Sequence, residues 1–290
     1  MSKYAFVTLV MNVSKNFKRD RYVPGALVLA HALRKVTSYD LVVMHDGTLT
    51  KESISALKKL YDHVVHVDYI TGPSFTAIQT DVQKSRYSPW IKYSYTKWRC
   101  LGLTQYEAVC FMDADNLPLP GNNLDNLFNK VPSACFKSIA QYTKFFEKFS
   151  NKRGVVIPKY LIENALTKRG FILNGSLVVL PTGGMNRYIN FIEETFTDLA
   201  PSLKCYSGVD EISITLFMLH EGYSWYSLPY RDISISWDES IENPRIITFF
   251  GAEKPWEIPK EKWPDLIHYY DEINDLIVDY PIMEEFFPYL

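Results

Sequence analysis

Apolar positions in the first 130 residues fall into short unbroken runs separated by amphipathic stretches. Tyr4 to Met11, Asp40 to His45 and Ala108 to Met112 are nearly continuous apolar segments, the pattern of strands buried on both faces. His63 to Val67 alternates in part and reads as another strand. Between these runs, Gly25 to Lys35 has helical spacing and a basic C-terminal end that suits the helix dipole. Lys51 to Leu60 places Ile54, Leu57 and Leu60 on one helical face, and Tyr95 to Leu103 predicts a further helix. This alternation predicts an α/β fold: a mostly parallel sheet with helices on both faces. Right-handed crossovers gather the strand C-terminal ends on one edge, where such sheets bind ligands. Thr8, Leu9, His45, Asp46 and Asp113 fall near that edge.

Composition narrows the picture. A chain of 290 residues fits a single domain spanning 1–290, with a nucleotide-binding half (1–130) and a second half (131–290) that ends in a helix. The net charge of −2 gives no support to a nucleic-acid surface. Aromatic residues reach 15%, which predicts a ring-rich core and leaves rings for a sugar or nucleotide groove. Cys100, Cys110, Cys135 and Cys205 have neither disulfide nor zinc spacing and are expected to be reduced core residues. Neither a signal peptide nor an apolar run of membrane-spanning length is visible, so the expected location is cytoplasmic, with the nucleus left open. A homodimer is left open as well.

The candidate chemistry begins at Asp113-Ala114-Asp115, directly after an apolar strand. Two carboxylates one residue apart on a rigid mount are hard oxygen ligands for a divalent cation, and such cations usually work on phosphates. The motif alone is weak, since about one copy arises by chance in a chain of this length. The glycine-rich loops of dinucleotide enzymes and P-loop NTPases are missing, so a bound nucleotide needs its charge met by metal and isolated cations. Three further signals lie downstream. Asn174-Gly175-Ser176 interrupts an apolar strand, as happens where a ligand or another backbone approaches closely. Asp210-Glu211 opens an amphipathic helix, where acids also serve as caps. Thr248 to Trp256 brings Gly251 and Lys254 together, and Lys254 is a candidate counter-charge for a diphosphate.

In order and spacing, these pieces resemble glycosyltransferase family 8, the glycogenin-like retaining enzymes. The likeness runs through Ala5 to Leu9, Tyr22 to Leu29, Tyr95 to Tyr106, Asp113 to Asp115, Asn174 to Ser176, Asp210-Glu211, Gly251 to Trp256 and Pro264 to Glu272. It implies a single domain of the glycosyltransferase-A type, a UDP-sugar donor and a manganese or magnesium ion. By resemblance, Thr8, Leu9, Asn12 and Tyr22 hold uracil and Lys97 faces donor phosphate or sugar. Asp113, Ala114 and Asp115 form the metal motif, Asn174 and Gly175 surround the transferred sugar, and Gly251 and Lys254 close over the phosphates. Asp210, Glu211 and Asn174 are the implied catalytic residues.

Two departures stand out. Thr248 occupies the position where the family places a histidine as third metal ligand, and a hydroxyl shifts preference from manganese toward magnesium. Glu211 replaces the family's glutamine, and a carboxylate there either stabilises an oxocarbenium or acts as nucleophile. Which of Asp210 and Glu211 faces the sugar is open from sequence. The expected function is metal-dependent, retaining transfer of a hexose from a UDP-sugar to a hydroxyl of an acceptor of unknown kind. The alternatives are a catalytically silent UDP-sugar binder and a phosphohydrolase using the two aspartates alone.

Overall fold

The computed structural model describes residues 2–13, 18–74, 90–136, 146–149, 151–168, 172–203, 208–235, 243–251, 253–259 and 266–289. The expected strands and helices of the first half form with small shifts at their ends: β1 (Tyr4–Val10), α1 (Val23–Arg34), β2 (Asp40–His45), α2 (Lys51–Leu60), β3 (His63–His66) and β4 (Ala108–Met112). Helix α1 starts two residues before Gly25, because Pro24 is preset for a first helical turn. The stretch expected as an α-helix from Tyr95 is a 3-10 helix, Ile91–Gly102. After β4 come β5 (Asn116–Pro118), β6 (Ser133–Phe136), α3 (Lys159–Thr167), β7 (Leu173–Pro181), α4 (Met185–Asn190) and α5 (Val209–His220). The short strands β8 (Tyr226–Ser227), β9 (Ser234–Ile235) and β10 (Ile246–Thr248) precede the closing helix α6 (Ile267–Asp279).

The main sheet has seven strands in the order β3-β2-β1-β4-β7-β6-β8. Its β3-β2-β1-β4 portion is parallel throughout, and β7 joins β4 antiparallel. One continuous sheet therefore crosses both halves of the chain. A second sheet, β5-β10-β9, branches off just after β4.

Strand alternation sorts the core onto two faces. Phe6, Leu41, Val43, Cys110 and Met112 face α1 and α6, while Val7, Val42, Met44, Val109 and Phe111 face the 3-10 helix and α5. Cys100, Cys110 and Cys135 are free and buried, and Cys205 lies outside the described residues. Pro264 and Asp265, which lead into α6, also lie outside them. Among the described residues no helix is long and apolar enough to cross a membrane.

Helix α6 is fastened to α1 by a buried imidazole. His31 donates to Glu272 through Nδ1 at 2.5 Å and to Asp279 through Nε2 at 2.9 Å. Lys35 adds bonds to Glu272 at 3.0 Å and Asp275 at 2.8 Å. Burial pulls the His31 pKa down, but the hydrogen bonds to Glu272 and Asp279 outweigh it and hold it above the ordinary histidine value. A raised histidine pKa stabilises the fold fully below the unfolded value of 6.5, and that contribution fades as pH rises through the folded value. His31→Gln should therefore lower stability by about 1–3 kcal/mol at pH 6. Guanidinium titrations of both proteins should show the gap narrowing toward pH 9; a constant gap would mean that His31 is neutral in the fold.

Candidate active site

The sheet's C-terminal edge is organised around Asp113 and Asp115, and the two residues are held from opposite faces. Asp113 continues the alternation of β4 toward the 3-10 helix. There Lys97 places Nζ 2.9 Å from its Oδ1 and 3.4 Å from Oδ2 of Asp210 at the start of α5. Burial pushes the Asp113 carboxyl up to about 6, against the pull of the Lys97 ammonium. Burial opposes charge on Lys97 as well, yet the Asp113 and Asp210 carboxylates hold its pKa above the usual lysine range. Asp115 turns the other way and takes Nζ of Lys254 at 2.6 Å.

A closed circuit of contacts fixes the Asp113 side. The Asp113 N–H donates to the Ser176 carbonyl at 3.0 Å, and Asn116 Nδ2 reaches the same oxygen at 2.6 Å. Asn174 Oδ1 accepts from the backbone and hydroxyl of Ser176. Glu211 Oε1 accepts the Gly175 N–H at 2.7 Å, and its Oε2 accepts the Gly208 N–H at 3.1 Å, as a helix-capping acid does. The Asp210 carbonyl then accepts Trp98 Nε1 at 3.0 Å, which returns the circuit to the helix carrying Lys97. Gly175 is required by this packing, because a Cβ there would lie 2.7 Å from Glu211 Cγ.

The Asp115 side is built from the tail of the chain. Strand β10 runs antiparallel to β5 with Thr248 opposite Asn116, and the Phe249 N–H donates to the Asp115 carbonyl at 2.9 Å. Lys254 returns to the Phe249 carbonyl at 3.0 Å and lies 5.8 Å from the Tyr22 ring centroid. Tyr22 in turn meets Trp256 edge-on, whose Nε1 bonds the Arg21 carbonyl. Gly25 lets α1 approach, since a Cβ there would lie 2.5 Å from the Ala114 carbonyl and 2.4 Å from Trp256. Gly251 has φ +136, in the turn between Thr248 and Lys254.

The expected site residues thus divide. Lys97, Asp113, Asp115, Asn174, Gly175, Asp210, Glu211 and Lys254 join one network, with Ala114 and Tyr22 against it, while Gly251 lies in the turn that precedes Lys254. Thr8 and Leu9 lie within β1, and the buried Thr8 hydroxyl has no hydrogen-bond partner. Asn12 spends its side chain on Asp20, donating and accepting at 2.8 Å each, while its N–H binds Asp46 at 2.9 Å. The sequence reading missed Ser176 and Asn116 as pins of the aspartate loop, although Ser176 ends the Asn174-Gly175-Ser176 triplet and Asn116 directly follows Asp115. It also missed Asp20, which accepts from Thr50 and Ser53 and ties α2 to the sheet edge.

The donor set fits a divalent cation. Among the described residues Asp115 Oδ1 is buried with no hydrogen-bond partner, a carboxylate oxygen left unsatisfied. The available atoms are oxygens, which suits magnesium or manganese. Among the described residues no group of three His, Cys, Asp or Glu side chains is arranged to hold a metal.

A parallel sheet whose central strand ends in paired aspartates, closed by a small second sheet, has the fold of the glycosyltransferase-A class. Among solved structures, the galactosyltransferase LgtC in complex with donor and acceptor sugar analogs superposes with a TM-score of 0.58 at 11% identity, over 93% of this chain and 95% of that one. In sequence, the chain is 34% identical to glycogenin-1 of Mus musculus over 261 residues, covering 88% of this chain and 66% of that protein. It is also 32% identical over 139 residues to an uncharacterized protein of Acanthamoeba polyphaga mimivirus, covering 47% of this chain and 44% of that protein. No protein-family model matches. The chain belongs to the glycogenin-like glycosyltransferase family 8. It spans under half of the viral relative and about two thirds of the mouse one.

Glu211 can be tested apart from the aspartates. A glutamine offers one acceptor oxygen where the carboxylate serves two N–H groups, so Glu211→Gln should lower stability by about 1–2 kcal/mol. Gly175→Ala should lower it by about 1–3 kcal/mol through overpacking. Urea denaturation measures both; wild-type midpoints would show that this clamp is not structural.

Proposed function

We propose that this chain is a metal-dependent, retaining hexosyltransferase that takes a sugar from UDP and passes it to an acceptor hydroxyl. One observation carries the reading: Asp115 Oδ1 is buried and unpartnered beside Asp113, while lysines from both faces converge on the same pair. Paired carboxylates with adjacent cations match a diphosphate bridged to a divalent ion. Membership of family 8 supports UDP as carrier and retention as outcome.

In this reading Asp113 and Asp115 would hold the cation, with Thr248 near them opposite Asn116 in the β5-β10 pairing. When bound, the ion supplies Lewis-acid stabilisation of the departing diphosphate. The chain's own residues do the rest. Lys254 places positive charge where the UDP leaving group gains negative charge. Lys97, shared between Asp113 and Asp210, keeps Asp210 turned toward the sugar position. Asn174 and Asp210 orient the sugar while the acceptor hydroxyl attacks on the face that UDP leaves. Glu211 is a positioning residue here, since its two oxygens hold the backbone of Gly175 and Gly208.

Thr248 favours a second reading, a UDP-sugar binder without transfer, because a hydroxyl replaces the family's imidazole. Isothermal titration with UDP and several UDP-sugars, with and without manganese or magnesium, followed by an assay for hydrolysis and transfer, separates the two. The transferase reading predicts metal-dependent UDP binding and sugar release. Asp115→Asn should retain the fold by circular dichroism and lose transfer at least about 100-fold. Transfer at the wild-type rate by that variant would end the site assignment, and metal-dependent binding without turnover would establish the silent binder.

A further inference from the structure

The ammonium of Lys254 stands where a cation is wanted. Its Nζ bonds Asp115 Oδ2 at 2.6 Å and the Phe249 carbonyl at 3.0 Å, and the residue is 3% exposed. Asp115 is left with one open oxygen, Oδ1, so it cannot chelate an ion through both oxygens while the lysine stays. Lys97 fills a matching position on Asp113. Three carboxylates (Asp113, Asp115 and Asp210) lie against two ammonium groups in a largely buried cluster, with the Glu211 carboxylate also acting on Lys97. A dication entering this cluster alone meets two resident positive charges that offset much of the carboxylates' attraction, Lys254 most directly because it already occupies Asp115.

Lys254 is also built to leave. Its backbone is fixed, because its carbonyl accepts the Glu257 N–H at 2.9 Å and the next residues, Pro255 and Trp256, are buried. Its charge rides on a flexible four-carbon stem whose ammonium is a compact point charge. A diphosphate placed against Asp113 and Asp115 offers that ammonium several anionic oxygens in exchange for one.

We propose that Lys254 is a resident counter-ion that masks Asp115 in the donor-free protein and transfers to the donor's diphosphate, so that metal and nucleotide load together. The lysine then has two partners in sequence. It neutralises the buried aspartate while the site waits, and it neutralises diphosphate once the divalent ion has taken its place on Asp115. Metal alone binds weakly, which keeps an empty site from being filled by the ion without its substrate.

This inference rests on the donor-site reading, and the test separates the two. Manganese affinity is measured by electron paramagnetic resonance of the free ion, with and without UDP, for wild type, Lys254→Met, Lys254→Gln and Lys254→Arg. Lys254→Met and Lys254→Gln should bind manganese alone about tenfold more tightly than wild type, because the competing charge is gone. UDP should then strengthen metal binding less in these variants than in wild type, while Lys254→Arg keeps the wild-type pattern. A merely structural lysine would weaken metal binding when removed, the opposite sign. Lys254→Gln retains a donor for the Phe249 carbonyl, and it decides the matter should Lys254→Met not fold. Manganese binding by Lys254→Gln that is no tighter than wild type overturns the counter-ion role. Failure of wild type to bind manganese even with UDP overturns the donor-site reading itself.

Discussion

Two carboxylates one residue apart at a partly buried sheet edge need compensating charge, and the fold supplies it from both faces. The alternation of β4 sends Asp113 toward the 3-10 helix, where Lys97 meets it. Asp115 lies past the end of the strand and meets Lys254 from the opposite layer. The helix below and the chain tail above are thereby pinned to one point. Leaving either aspartate uncompensated would place a bare charge in a low-dielectric environment, which is far more expensive than any single packing defect nearby.

This arrangement explains why the second half of the molecule is shaped as it is. Helix α5 begins where it does because Glu211 caps it while also gripping Gly175, so the strand with Asn174 and the helix with Asp210 are fastened together. The small sheet β5-β10-β9 holds Thr248 in register with Asn116, and a backbone hydrogen bond ties Phe249 to Asp115. Helix α6 in turn holds α1 through His31, and α1 presents Gly25 to the Ala114 carbonyl. Stability and site geometry share the same contacts.

Much of this was legible in the sequence because it depends on local pattern. Continuous apolar runs revealed the parallel strands, and the aspartate pair stood out by its place after one of them. Lys254 was suggested by a small residue and a proline nearby, and its partner was not. That pairing joins residues 139 apart, and Lys97 reaches Asp113 across 16, so only the folded topology brings them together. The division of labour between Asp210 and Glu211 was equally hidden. Adjacent helix residues point about 100° apart, and which one turns inward depends on where β7 runs. The extended helix expected near Tyr95 became 3-10 for a related reason, since tertiary packing on both sides overrides weak propensity in a segment rich in aromatic and β-branched residues.

Rigid and movable parts are separated in this site. The oxygens that would hold an ion sit on a strand end pinned by Ser176, and Asn174, Asp210 and Glu211 sit in the closed circuit through Gly175 and Trp98. The positive charges are mounted differently, at the tips of long flexible stems. Under the proposed function, fixed anions with cations on long stems suit a site that accepts a highly charged ligand and later releases a more highly charged product. The aspartates need no rearrangement at either step, and the lysines carry the change in charge. Under the proposed function, Thr248 in place of an imidazole weighs less, because a site loading ion and diphosphate together would depend less on any one protein ligand.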